Sequence, residues 1–206
     1  MFNFLKKAGK KKSLPFDLQL DIQSGKFDTK QVLKIISGYD LSSHELNIIG
    51  IGFKNKKEFG LTEKYFIKSL KKDKSNSDAY GNLISLYCEQ KKYNLCEKTY
   101  LSGIKNAGRG REFIYYHQAR ALFNQKKYNE ALKVGLLGIE EKDDELTYIL
   151  CIKALMNIAK IFQQANKNEL AKDPLIMASS LSQIAIKAFP ESKEIKELYK
   201  FLCKKK

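Results

Sequence analysis

Between Tyr80 and Ile139 the apolar positions keep helical spacing and pause at fixed intervals. Tyr80, Leu83, Ile84 and Tyr87 are three, one and three positions apart, which places them on one face of an α-helix. After a polar pause, Leu95, Cys96, Tyr100 and Ile104 resume the same spacing. Asn106-Ala107-Gly108-Arg109-Gly110 breaks the chain. Tyr115, Ala119 and Leu122 then form a third face, and Ala131, Leu132, Gly135 and Ile139 a fourth. The pauses inside the pairs are near copies, Gln90-Lys91-Lys92-Tyr93-Asn94 and Gln125-Lys126-Lys127-Tyr128-Asn129. Tyr93 and Tyr128 lie 35 positions apart, and Phe59, within Lys56-Lys57-Glu58-Phe59-Gly60, lies 34 before Tyr93. A period of this length predicts stacked helical hairpins. No single helix here has apolar surface enough to fold alone, so each pair requires its neighbours.

The flanks extend the pattern less regularly. Phe16, Leu18, Leu20 and Ile22 alternate as a strand would, but the break at Ser24 to Asp28 and the Asp28/Gln31 capping pair favour a degenerate helical hairpin over 16–42. Its second helix is predicted over Thr29 to Ser37, ended by Gly38. Helices follow from Ser42 or Ser43 to about Lys54 and from about Leu61 to Leu70, and Asp78 is the expected cap of the next. Beyond Asp144 the period fails. Residues 145–164 read as one long helix, then a polar loop from Gln163 to Lys172, with Asp173-Pro174 as the start of a helix ending at Ala188. Ser192 to Cys203 reads as a terminal cap with Ile195, Leu198, Tyr199 and Leu202 inward. The predicted organisation is therefore a basic flexible arm over 1–15 and a single helical domain over 16–206. That domain holds the hairpin, repeats at 43–76, 77–111 and 112–144, an elongated fourth repeat at 145–190, and a capping helix with basic tail at 191–206.

Composition narrows this picture only slightly. Three prolines and twelve glycines suit a helical chain, and 43% hydrophobic with 30% charged residues is a globular balance. The net charge is +15, of which residues 1–12 supply +5 and residues 193–206 supply +4, leaving +6 for the rest. Most of the excess is thus expected to solubilise the ends, with nucleic acid, anionic lipid or acidic peptides as the partners such charge attracts. The four cysteines show no paired spacing, the N-terminal order is wrong for a secretory signal, and no window approaches a membrane span. Reduced thiols and a cytoplasmic location follow as expectations.

The residues that carry the period resemble the tetratricopeptide repeat family. The second pair follows its pattern with Tyr80, Leu83, Ile84, Tyr87, Tyr93, Cys96, Tyr100 and Gly103. The first does so with Leu46, Ile49, Gly50, Phe53, Phe59, Thr62, Phe66 and Ser69. The third follows with Tyr115, Ala119, Leu122, Tyr128, Ala131 and Gly138, with Gln118 in the Leu place and Gly135 in the aromatic place. Small residues recur where the two helices of a pair approach closely. The resemblance implies an all-α fold, a right-handed superhelical stack of antiparallel helix pairs (a TPR-like α-solenoid) closed by a C-terminal capping helix.

It also implies where a ligand would lie. The first helix of each pair lines the concave groove. The stripe carried over falls at Asn47, Ile51, Lys54 and Asn55, then at Gly81, Asn82, Ser85, Cys88 and Glu89, and then at Phe113, Tyr116, His117, Arg120, Phe123 and Asn124. Phe113, Tyr116, Arg120 and Phe123 form a second stripe on their helix, of the residue types that binding hot spots use. The alternative is that the fourth repeat covers it. Some family members clamp a chaperone tail's carboxylate in this groove. Here only Asn82 matches that set, with Ile51 in an Asn place and Phe113 and His117 in the Lys and Arg places.

No chemistry competes with this reading. His44 and His117 have no cysteine or carboxylate at ligand spacing, and no phosphate-cradling loop or nucleophile motif is present. Gly108-Arg109-Gly110-Arg111 reads as a turn between repeats. The expectation is no catalytic residue, no metal, no cofactor and no small-molecule substrate. The chain is expected to be a non-catalytic scaffold that binds a partner protein or peptide, acidic ones included. RNA or other nucleic acid, bound through basic tails and groove, is the alternative, and self-association through Phe2, Phe4 and Leu5 a third option.

Overall fold

The near-identical pauses turn out to be one capping device used four times. In the computed structural model, which describes residues 13–204, each of four helices ends with a residue in the left-handed region. These are Lys57 (φ 61°), Lys91 (57°), Lys126 (62°) and Asn166 (57°). The following amide closes the end by donating back into the last turn: Glu58 N to Phe53 O at 2.9 Å, Lys92 N to Tyr87 O at 2.8 Å, Lys127 N to Leu122 O at 3.0 Å and Lys167 N to Phe162 O at 2.9 Å. This Schellman geometry satisfies carbonyls the helix leaves open, and it usually employs glycine. A side chain there costs roughly 1–2 kcal/mol against the left-handed backbone. Tyr93 and Tyr128 then begin the return helices, so the repeated segment sets the register of each hairpin.

Eleven helices are described. The first of each pair are α1 (Phe16–Ser24), α3 (Ser43–Asn55), α5 (Ser77–Glu89), α7 (Arg111–Asn124) and α9 (Glu145–Gln164). Their partners are α2 (Thr29–Ile36), α4 (Phe59–Lys72), α6 (Tyr93–Asn106), α8 (Tyr128–Glu141) and α10 (Asn168–Ala188), and α11 (Lys193–Cys203) ends the stack against α10 and α9. Each of α4, α6 and α8 packs on both its own partner and the next first helix, while α1, α3, α5, α7 and α9 touch in succession. The result is an all-α, TPR-like stack of helix pairs.

The core runs along this stack rather than filling one centre. Leu14, Ile22, Phe53 and Tyr65 anchor the first part, Phe66, Tyr80, Ile84 and Ile114 the middle, and Tyr148, Ile152, Ala178 and Ile195 the last. Glycines sit where helices touch. A β-carbon on Gly50 would lie 2.5 Å from the Phe66 ring, one on Gly135 2.5 Å from Cys151 Sγ, and one on Gly103 3.0 Å from both Tyr80 and Ile114. Gly52 lets α1 lie directly on α3, because a β-carbon there would collide with the backbone carbonyl of Ile22. Gly52→Ala is therefore expected to displace α1 and to cost about 1–3 kcal/mol, as overpacking does. Hydrogen exchange should show protection lost selectively over residues 16–24.

Local signals from the sequence stand with three corrections. Ser42 and Glu45 form a reciprocal capping box on α3, and Asp28 caps α2 through Gln31 N at 2.8 Å. The cap of α5 is Asn76, whose Oδ1 accepts from Ala79 N at 3.0 Å. Asp78 lies inside the first turn. Asp173-Pro174 does not start α10, which begins at Asn168 and carries Pro174 internally. The left-handed turn at Asn166, closed by Lys167 N on Phe162 O, and burial of Ala171 fix the earlier start, and Pro174 only leaves the Leu170 carbonyl without its ladder donor. Leu14, expected in the basic arm, is buried, and its amide donates to Glu45 Oε1 at 2.5 Å. Residues 1–12 of that arm lie outside the described residues. Among the described residues, no helix is long and apolar enough to cross a membrane.

Candidate binding groove

Because the first helices of successive pairs lie side by side, they present a common face. A cleft of about 430 Å³ on that face is lined by α1 (Phe16, Gln19, Leu20, Gln23), α3 (His44, Asn47, Ile48, Ile51), α5 (Asp78, Asn82) and Phe113 of α7. A second cleft, of about 260 Å³, continues past Asp78 and Phe113 to Tyr116, Asp143, Asp144 and Leu146. Phe16 and Leu20, large apolar residues of a helix in which Ile22 alone is buried, are 71% and 50% exposed. Burying such residues is favourable, and a partner could supply the cover.

The residues anticipated for this groove divide into a floor and a rim. Asn47 is buried, and its Oδ1 accepts from half-buried Asn82 Nδ2 at 3.1 Å, tying α3 to α5. Ser85 is buried as well. Its hydroxyl oxygen accepts from Lys54 Nζ and from Arg120 Nη2, each at 2.8 Å, and its hydroxyl donates to Glu89 Oε1 at 3.3 Å. Lys54 also pairs with Glu89 at 2.8 Å. Two cations from α3 and α7 thus converge on one hydroxyl of α5 with a single exposed carboxylate as counter-ion. Asn124 is exposed and its amide reaches Cys88 Sγ at 3.5 Å.

The aromatic stripe of α7 is half-buried, and what covers its upper end is α5. Phe113 and His117 lie over Gly81, where a β-carbon would sit 2.5 Å from the Phe113 ring and 2.8 Å from His117 Cδ2. The two rings meet edge to face with centroids 4.4 Å apart, and Tyr116 approaches His117 at 5.1 Å. The Arg120 guanidinium lies over Tyr116, 5.5 Å from its centroid. Phe123 packs edge-on against Tyr128 at 5.1 Å.

His117 is the electrostatic exception in this layer. It is 7% exposed, and among the described residues neither ring nitrogen meets a hydrogen-bond partner. Burial, aided by the nearby Arg120 and Lys54 charges, lowers its pKa to about 3. The imidazole is consequently neutral and acts as a packing group.

Two contributions to the groove were not anticipated: the outer face of α1, and the meeting of Lys54 with Arg120 on Ser85. The spacing of Phe16, Leu20 and Gln23 is a helical signal that could have pointed to the first. The second depends on side chains 31 and 35 positions from Ser85. Among the described residues, no group of three or more His, Cys, Asp or Glu side chains is placed to hold a metal ion.

No known protein family's sequence profile matches the chain, and no curated protein matches it. Among solved structures, the crystal structure of the APC/C hetero-tetramer Cut9-Hcn1 is similar over 89% of this chain, at 10% identity and a TM-score of 0.35. The match takes in 48% of that chain, so this protein spans about half of its length.

Proposed function

We propose that the protein is a non-catalytic scaffold whose concave face, built from α1, α3, α5 and α7, binds a segment of a partner protein. The observation that carries this reading is the 430 Å³ cleft in which exposed Phe16 and Leu20 stand beside Asn82 and Phe113. Apolar side chains would supply affinity, and the carboxamides would supply direction, as in most binding clefts. Lys54 and Arg120, sharing Ser85 with only Glu89 between them, favour an acidic group on the ligand. Tyr116, with Arg120 stacked on it, extends the surface towards Phe123 and Asn124. Asn47, Ser85 and His117 would act from below by fixing the floor.

Selection of peptides from a random library against the whole protein, followed by anisotropy titration, tests this. Leu20→Glu and the pair Tyr116→Ala/Arg120→Ala should each weaken selected peptides by about 30-fold or more, the size of a hot-spot loss. Peptides that bind both variants as tightly as the natural chain would rule the groove out.

A further inference from the structure

The four left-handed caps leave a second surface that the groove does not use. All turns from a first helix to its partner lie on one edge of the stack, and all turns from a pair to the next lie on the other. On the first edge, residues 25–28, 56–58, 90–92, 125–127 and 165–167 carry eight lysines against Asp28 and Glu58. On the opposite edge, residues 37–42, 73–76, 107–110, 142–144 and 189–192 carry Lys74, Arg109 and Lys142 against five acids. The stack is therefore electrically polarised across its width.

The acids of the basic edge are already engaged. Asp28 caps α2, and Glu58 accepts from Thr29 Oγ1 and lies 4.0 Å from Lys56. Lys57, Lys91, Lys92, Lys126, Lys127 and Lys167 are all exposed, and among the described residues none makes an ion pair or a side-chain hydrogen bond. One turn into the return helices the charges balance in number, Lys64, Lys98 and Lys133 against Glu63, Glu97 and Glu130.

Folding does not account for lysine at these positions. Lys57, Lys91 and Lys126 hold a backbone conformation that glycine or asparagine adopts more easily. Lys92, Lys127 and Lys167 occupy N-cap positions where a hydroxyl or carboxylate would cap the helix, and none makes a cap bond. Their charges also face the positive ends of α6, α8 and α10. A local rule broken repeatedly without a compensating interaction marks a surface kept for something other than stability.

We infer that this edge binds the phosphate backbone of a nucleic acid without reading its sequence. The same unit, paired lysines followed by an exposed asparagine (Asn94, Asn129), recurs on neighbouring hairpins about 10 Å apart, the spacing of packed helices. A periodic array of cations and amide donors matches a periodic polyanion, and lysine and asparagine are ordinary phosphate ligands. A lipid surface fits less well. Tyr93 and Tyr128 are half-buried, and Phe59 and Leu95 are little more than a third exposed, so no apolar wedge accompanies the charge. This inference does not depend on the groove.

The test titrates the full chain against a fluorescent 20-base-pair DNA duplex between low and moderate salt. The variant Lys91→Gln/Lys92→Gln/Lys126→Gln/Lys127→Gln should flatten the plot of log K against log salt by about 3–4 units, close to 0.9 for each phosphate no longer neutralised. It should also bind at least tenfold more weakly at low salt. The control Lys64→Gln/Lys71→Gln/Lys98→Gln/Lys105→Gln removes equal charge from exposed positions outside the turns and should keep the slope near that of the natural chain. Equal losses in both variants would mean diffuse attraction and overturn the edge. So would a slope that falls only on removing residues 1–12, binding to phosphatidylserine vesicles but not to the duplex, or no duplex binding at low salt.

Discussion

Truncating Phe66 to alanine is expected to destabilise the protein by about 3–5 kcal/mol, the usual loss for a buried phenylalanine. Phe66 is fully buried and joins two hairpins: its ring lies against Gly50 of α3 and within the cluster of Tyr80, Leu83 and Ile84 of α5. Gly50 has no side chain to move into the void, so the cavity persists rather than collapsing. Because the stack is held only by neighbouring helices, the loss should appear as a lower denaturation midpoint on the order of 10 °C for a chain of this size. Thermal melts and urea titrations followed by far-UV circular dichroism measure the midpoint shift and the free-energy loss. A loss under about 1 kcal/mol would place Phe66 among ordinary surface positions and contradict its packing.

Mild acid should destabilise the protein through His117. The folded pKa is about 3 while the unfolded chain titrates near 6.5. The unfolded state therefore binds the proton first, and stability falls as pH drops below 6.5 until the folded group also titrates. The loss amounts to about 2 kcal/mol at pH 5 and about 3 kcal/mol at pH 4. Glu45 acts lower on the scale. Burial opposes its ionisation, but hydrogen bonds from Ser42 and the Leu14 amide outweigh this and hold its pKa below the usual value. Its contribution is thus intact at pH 5 and disappears only as pH falls through the carboxylate range. Urea midpoints at pH 7, 6, 5 and 4 separate the two. His117→Leu should flatten the upper part of the profile without loss at pH 7, since removing an unpaired buried polar group is close to neutral. An unchanged slope between pH 6.5 and 5 in that variant would place the acid sensitivity elsewhere.

The sites where expectation and structure part are informative about the groove. Phe16 to Ile22 alternate in sequence and form the helix expected there, but Ile22 alone of them is buried. One side of α1 rests on Gly52 and the other stays open, so its pattern is weak. On α7 the second stripe was visible from spacing, but its cover was not. Gly81, carried over as a groove position, admits Phe113 and His117 of the next hairpin instead of facing a ligand.

What could be read from the chain alone was the local and periodic part. Helical spacing, capping residues and the 34- and 35-residue recurrences each arise from interactions within a turn or a hairpin, and they yielded the helix pairs and the all-α stack. What only the folded structure decided was which face of each first helix remains open. That depends on how closely neighbouring helices approach, and single glycines at 52 and 81 set the approach through partners 30 and 32 or more positions away. The meeting of Lys54 and Arg120 on Ser85 has the same origin, since a cation's surroundings are fixed by side chains from two other hairpins. The repeated Lys-Lys-Tyr-Asn segment joins both levels. Its turn was legible locally, while the alignment of its lysines along one edge exists only once the hairpins stack.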